Sequence, residues 1–238
     1  ALPLPVMVRA ILANRALLLV LGAVIIGSFC STMFGKNLLY YFKYVVGNEK
    51  LASAALAVTA LGTVLLVPIF AWLARTRGKR AAWLTGAVPS LIGLVLWHVV
   101  DGSSIPMLFV ALGLISVGSA AYAVCFWSML PDTVEYGEWK SGVRTESLVF
   151  GMAVLGQKIA VGLGAGFLGL ALSHVGYVAN AAQTPETIAG IKNMMFWIPL
   201  TGGLTAFALI WFYPLSLSLH AQIVEELAAR KGGAAPSA

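Results

Sequence analysis

Six stretches of about 20 residues run through this chain with no acidic side chain in any of them, the length a helix needs to cross ~30 Å of hydrocarbon at ~1.5 Å per residue. They are Ala16–Phe34, extendable as one long tilted helix to Val46, then Leu51–Leu73, Ala81–Val100, Ile105–Leu130, Leu148–Ser173 and Ile191–Tyr213. Leu, Ala, Val and Gly fill them continuously. A membrane barrel would instead alternate apolar and polar residues over short segments, so helices are the reading. Composition excludes a soluble domain: 10% of residues are charged, against about 25% in soluble proteins. The fold class is all-α, a polytopic membrane protein with six transmembrane helices in one bundle.

Charge placement orients the bundle. Arg9 and Arg15, the loop Arg75–Arg80, Lys140 with Arg144, and Arg230 with Lys231 all fall on one side of a six-span path. Basic residues mark the cytoplasmic side, so both termini are expected there. The opposite side carries GNEK at Gly47, DGSS at Asp101 and the polar loop His174–Gly190, with Lys50 and, at span ends, Lys43 and Lys192. The net charge of +6 reflects this bias, which leaves no reason to invoke nucleic acid. The chain divides into a cytoplasmic segment 1–15, the membrane bundle 16–213 and a cytoplasmic tail 214–238. In the tail Leu219, Ile223 and Leu227 form an i, i+4 stripe that predicts a short amphipathic helix, ended by Gly232 and Gly233, and GGAAPSA reads as disordered. Pro3, Pro5, Arg9 and Arg15 interrupt the lead-in, so it is no secretory signal. The first residue is Ala1, which fits initiator removal or one half of a longer protein. Cys30 and Cys125 sit inside spans as small hydrophobes. No metal site or cofactor is expected.

Lysine at membrane depth is the costliest feature. Lys158 lies about ten residues inside the fifth span, where an ammonium costs at least ~2.5 kcal/mol, so it is expected to face the bundle interior or an aqueous cavity. It serves a substrate or ion route, or else a structural ion pair with Asp132, Glu135, Glu146 or a carboxylate outside this chain. Lys36 with Asn37 places a donor-rich pair near the outer half of the first span; the competing reading is a lysine snorkelling beside an interfacial belt of Tyr40 and Tyr41. Tyr122 and Phe126 stand one helical turn apart with Trp127 adjacent. Such faces stack on sugar rings, although alone they are more often packing. Joined with Gln157 and Lys158 they make half of a polar-ligand cavity. Gly162 and Gly166 mark an expected helix-packing face, and Pro68, Pro89 and Pro199 predict kinks. His98, His174 and His220 read as structural. The segment PDTVEYGEWKSGVRTES at 131–147 reads as a densely charged loop between the fourth and fifth spans.

These last residues carry a resemblance. DTVEYGEWKSGVRTES at Asp132–Ser147, VFG at Val149–Gly151 and GQK at Gly156–Lys158 resemble the loop and following helix of the glycoside-pentoside-hexuronide:cation symporters, the melibiose permease type. YYFKYVVGN at Tyr40–Asn48 resembles the end of their seventh helix. AWLARTRGKR at Ala71–Arg80 is similar to the second-half loop signature of the major facilitator superfamily, with Ala71 where that signature has glycine and Arg75 where it has aspartate. That loop's gating salt bridge is therefore not carried over. The resemblance covers essentially the whole chain as the C-terminal half of a twelve-helix protein.

The resemblance implies secondary active transport rather than an enzyme: symport of a sugar or glycoside with sodium or protons, by alternating access of two six-helix bundles in a bacterial inner membrane. It places Lys158 near the sugar and cation sites, with Trp127 near a sugar-facing aromatic. It assigns Asp132, Glu135, Tyr136, Glu138, Arg144 and Glu146 to charge pairing that closes the cytoplasmic side. No Asp or Glu lies within a span, so the ligands of the coupling ion are expected in the N-terminal six-helix half. That half, the lipid bilayer and the substrate are the implied partners. The alternative is a stand-alone six-helix membrane scaffold, assembly partner or homodimeric channel-like protein without symport activity.

Overall fold

A computed structural model of the chain describes residues 4–232. They form α1 (Leu4–Leu12), α2 (Arg15–Tyr40), α3 (Lys50–Arg77), α4 (Lys79–Val100), α5 (Ile105–Ser141), α6 (Glu146–His174), α7 (Pro185–Trp211) and α8 (Leu217–Gly232), with a π-helical turn at Tyr41–Val45 continuing α2. Six helices are long and apolar enough to cross a membrane, Arg15–Val45 and α3 to α7, which makes this a multi-pass membrane protein. The expected disorder of the last residues falls, from 233 onward, outside the described residues.

Local chemistry sets the helix ends. Asn14 opens α2, its Oδ1 accepting from the Leu17 N–H at 3.0 Å, and its Nδ2 donates 2.7 Å to the Thr133 carbonyl of α5. Thr184 caps α7 ahead of Pro185, where a missing N–H costs nothing. Gly142 ends α5 at φ 70°, a left-handed turn that suits glycine. Gly78 alone separates α3 from α4, at φ 90°.

The charged segment 131–147 is not a loop. α5 runs 37 residues to Ser141, about 55 Å by helical rise, so its last turns project beyond the hydrocarbon. The connection shrinks to residues 142–145. Charge density suggested a loop, yet Val134, Tyr136 and Gly137 are buried, and the helix continues because it has α1, α2 and α8 to pack on.

The tightest helix pair is α4 with α5. A Cβ on Gly86 would overlap the Cβ of Ala121; one on Gly93 would lie 2.8 Å from the Ala111 carbonyl oxygen, and one on Gly118 2.5 Å from Ser90 Cβ. Small residues allow this approach in lipid, where packing rather than water drives association. The packing face expected at Gly162 and Gly166 is not used among the described residues: a Cβ on either would meet no neighbouring helix within 4 Å, whereas one on Gly164 would lie 2.9 Å from the Phe29 carbonyl oxygen. Spacing identified small residues on α6 but not which of them turns toward α2.

Two apolar clusters occupy the ends of the bundle. One gathers Leu17, Phe126, Met129, Leu130, Val149 and Ile210 with Ile223 and Leu227 of α8; the stripe anticipated in the tail thus packs against the bundle. The other gathers Phe34, Tyr41, Phe42, Trp97, Leu108 and Ile191. Tyr41 is 1% exposed and sits 4.8 Å from the Trp97 ring, so it is a core residue rather than part of an interfacial belt.

Gly86→Val is expected to force α4 and α5 apart and cost about 2 kcal/mol. Gly162→Ala, in open space, should stay within about 0.5 kcal/mol of the parent. Thermal unfolding of the purified full chain in detergent reads both.

Candidate functional site

Between the two apolar clusters lies a cavity of about 620 Å3 with walls from α2, α3, α4, α5 and α7. Its lining is mainly apolar, includes Phe34, Trp83 and Phe207, and has no charged side chain. Hydroxyls supply the polarity. Thr59 donates to the Ala55 carbonyl at 2.8 Å, Thr63 to Thr59 at 2.8 Å and Ser119 to Ile115 at 3.3 Å. Each proton goes back into its own helix, leaving oxygen lone pairs as acceptors. A ligand there finds apolar faces and acceptors for its own hydroxyl groups.

Tyr122 is the residue that joins this cavity to neighbouring helices. It lines the space, and its hydroxyl sits 2.8 Å from Ser28 Oγ of α2. Its ring stacks on Phe126 at 6.0 Å and meets Trp83 edge-on at 5.6 Å. Phe126 is 1% exposed, so it backs Tyr122 instead of facing the cavity. Trp127 is 50% exposed and leans on Phe126 at 4.6 Å, outside the cavity lining. Lys158, next to Gln157, is exposed on α6 and forms no ion pair with any described residue. The pairing considered for it inside this chain is absent, because Asp132, Glu135 and Glu146 take other partners. Lys36 is exposed on α2, while Asn37 is buried and donates 3.0 Å to the Ile191 carbonyl of α7. The two do not act as a pair: successive helical residues point about 100° apart, and Asn37 clamps α2 to α7.

The charges of the 132–146 segment form two groups at the end of the bundle that also carries Arg15 and Arg230. In the first, the Lys79 ammonium donates to Asp132 Oδ1 at 2.6 Å and to the Ser128 carbonyl at 2.7 Å. His220 Nε2 of α8 lies 2.6 Å from Glu135 Oε2 and 3.3 Å from Asp132 Oδ1. Tyr213 is buried beside them with its hydroxyl unpartnered; burial first, then the Asp132 charge, pushes its phenol well above the ordinary range. In the second, Arg144 bridges Glu138 at 2.8 Å and Glu146 at 2.7 Å. Those hydrogen bonds, Glu138's before Glu146's, raise the guanidinium further above its usual value. Tyr136 is buried with the Lys140 ammonium 4.9 Å over its ring. Lys79 and His220 are the partners that sequence reading missed, since nothing local to either residue points to a carboxylate more than fifty positions away.

Among the described residues, Asp132, Glu135 and His220 place ligand atoms within 4.8 Å of one another. Lys79 already neutralises Asp132, so a divalent cation there would meet a fixed ammonium.

Residues 1–217 match the family described as MFS/sugar transport protein. The chain is 35% identical over 194 residues to a glucuronide carrier protein homolog of Escherichia coli (strain K12), covering 81% of this chain and 42% of that protein. It is 36% identical over 175 residues to an isoprimeverose transporter of Lactiplantibacillus pentosus, covering 73% and 36%. Against a putative 2,3-dihydroxypropane-1-sulfonate exporter of Escherichia coli (strain K12) it is 32% identical over 231 residues, covering 94% and 48%. The chain thus spans half the length or less of these curated relatives.

Lys79→Met should cost about 2 kcal/mol, less than the ~3–5 kcal/mol of a fully buried pair, because the Lys79 side chain is 28% exposed. Adding Asp132→Leu should restore most of the loss, as a double-mutant cycle on unfolding midpoints would show.

Proposed function

Since the chain belongs to the MFS/sugar transport protein family, we propose that it is the second six-helix half of a secondary transporter that moves a sugar or glycoside together with sodium or protons. The observation that carries this reading is the cavity beside Tyr122, with hydroxyl acceptors on aromatic and apolar walls. Aromatic faces and acceptors match the apolar faces and hydroxyl groups of a sugar ring. The names of two relatives, a glucuronide carrier homolog and an isoprimeverose transporter, fit the same substrate class.

Lys158 has its natural role at the junction with the first half. An ammonium at membrane depth requires a counter-charge, and no described residue provides one. The partner is a carboxylate of the other six helices, where the coupling ion's ligands also reside, or the acid group of a substrate such as a glucuronide. The end bearing Lys79, Arg144 and Arg230 faces the cytoplasm by its excess of basic residues. Alternating access then proceeds by rocking of the two bundles, with the internal ion pairs of α4, α5 and α8 keeping this bundle rigid.

Lys158→Ala in the complete transporter should abolish gradient-driven accumulation while leaving the amount of folded protein unchanged, since Lys158 forms no ion pair with any described residue. Uptake of labelled pentosides, hexosides and glucuronides by vesicles, with and without a sodium gradient, reads this outcome. Normal accumulation with normal dependence on the ion gradient would remove Lys158 from the mechanism.

A further inference from the structure

At the end of the bundle that carries Lys79, some cations hold carboxylates of this chain and others do not. Lys79, Arg144 and Arg230 do, at 2.6, 2.7 and 3.7 Å. Arg75, Arg77 and Arg80 form no ion pair with any described residue. These three lie on the last turn of α3 and the first turn of α4, brought together because only Gly78 separates the two helices. Asp132, the carboxylate beside the start of α4, is already taken by Lys79. One short junction therefore gathers three guanidinium groups whose counter-charge the described chain does not supply.

The surface beside them changes character with depth as a lipid molecule does. Leu204, Ala208 and Trp211 follow at i, i+4 and i+7 on the exposed face of α7, and α7 packs against α4. The Arg80 guanidinium stands over the Trp211 ring, 5.6 Å from its centre, and that ring is 53% exposed. Phe212 and, at the start of α8, Leu217 are exposed as well; a Cβ on Gly78 would lie 3.8 Å from that of Leu217. In a bilayer, aliphatic side chains meet acyl chains, tryptophan sits at headgroup level, and guanidinium groups reach the phosphates. The ring contact uses no N–H group of Arg80, so its donors stay available to phosphate oxygens, which a guanidinium takes two at a time. We infer that the α3–α4 junction and the end of α7 form a binding site for an anionic phospholipid. Arg75, Arg77 and Arg80 hold its phosphodiester, and its acyl chains run along Trp211 and Leu204. Charge complementarity selects this occupant, because a zwitterionic headgroup adds an ammonium that three arginines repel. The site needs only the membrane-spanning fold, so it stands or falls separately from the transport reading.

Lipid binding to the purified full-length protein in neutral detergent, read by native mass spectrometry, tests the site. Phosphatidylglycerol should bind about tenfold more tightly than phosphatidylcholine with the same acyl chains. A basic residue near an anionic headgroup is worth about a fivefold change in binding. Arg80→Gln alone should therefore weaken phosphatidylglycerol binding about fivefold, and Arg75→Gln, Arg77→Gln and Arg80→Gln combined about a hundredfold. Trp211→Leu should weaken it about threefold. Arg9, Arg15 and Lys140 belong to the same end and likewise hold no carboxylate among the described residues, but they are spread over α1, α2 and α5. Changing those three to glutamine should leave binding within about twofold of the wild type. An equal loss in that charge-matched variant would overturn the proposal, reducing the arginines to general surface charge, and so would equal affinity for the two lipids. Displacement of the lipid by millimolar inorganic phosphate would overturn it in favour of a soluble phosphate ligand. Cross-linking of Arg77→Cys to another protein segment, with no tightly bound lipid, would overturn it in favour of a protein partner.

Discussion

In hydrocarbon no water competes for backbone groups and no hydrophobic force pulls helices together, so their arrangement is decided by how closely two surfaces fit. Here the decisive fit is between α4 and α5, where Gly86, Gly93 and Gly118 bring backbone against Cβ or backbone. The other functional placements follow from that contact. α5 carries Tyr122, Phe126 and Trp127 at mid-depth and Asp132 and Glu135 past the membrane surface, while α4 carries Trp83 into the cavity wall and Lys79 to Asp132. A bulky residue at either helix would shift both sites together.

Polarity is divided by depth. The mid-depth cavity relies on hydroxyls whose protons are committed to their own helices, a cheap way to place acceptors in a low-dielectric region. Full charges are kept to the two ends: Lys79, Asp132, Glu135, His220 and Arg144 at one, and Lys43 with Glu49 and Lys192 with Asp101, at 3.5 and 2.8 Å, at the other. Lys158 and Lys36 break this division, the exposed ammonium groups on the intermediate lengths of α6 and α2. Both side chains are exposed on the surface of the bundle.

The spans were legible because hydrocarbon thickness writes a length into the sequence; the observed helices enclose five of the six anticipated blocks, and α7 ends at Trp211, two residues short of the sixth. The amphipathic stripe of Leu219, Ile223 and Leu227 was equally legible, since one local periodicity decides it. What failed was anything that needed a partner. Asp132 to Ser141 looked like a loop because charge density is read locally, whereas the helix depends on Asn14 and α8 being near. Gly162 and Gly166 have the spacing of a packing face, but Gly86, Gly93 and Gly118 meet the neighbour, and spacing does not say where a neighbour stands. Of the residues grouped around Lys158, Tyr122 lines the cavity and Phe126 supports it from the core; Asn37, read as a pair with Lys36, is instead a clamp on α7.

The single-residue joint at Gly78 has a mechanical meaning. Elsewhere the membrane helices are separated by several residues that can absorb relative motion; between α3 and α4 there are only the torsions of one glycine held at φ 90°. Any tilt of α3 must pass into α4 almost undiminished, and α4 is fastened to α5 along its length. The three helices therefore behave as one crank with a stiff elbow, and a residue with a side chain at position 78 would resist the bend on which that stiffness rests.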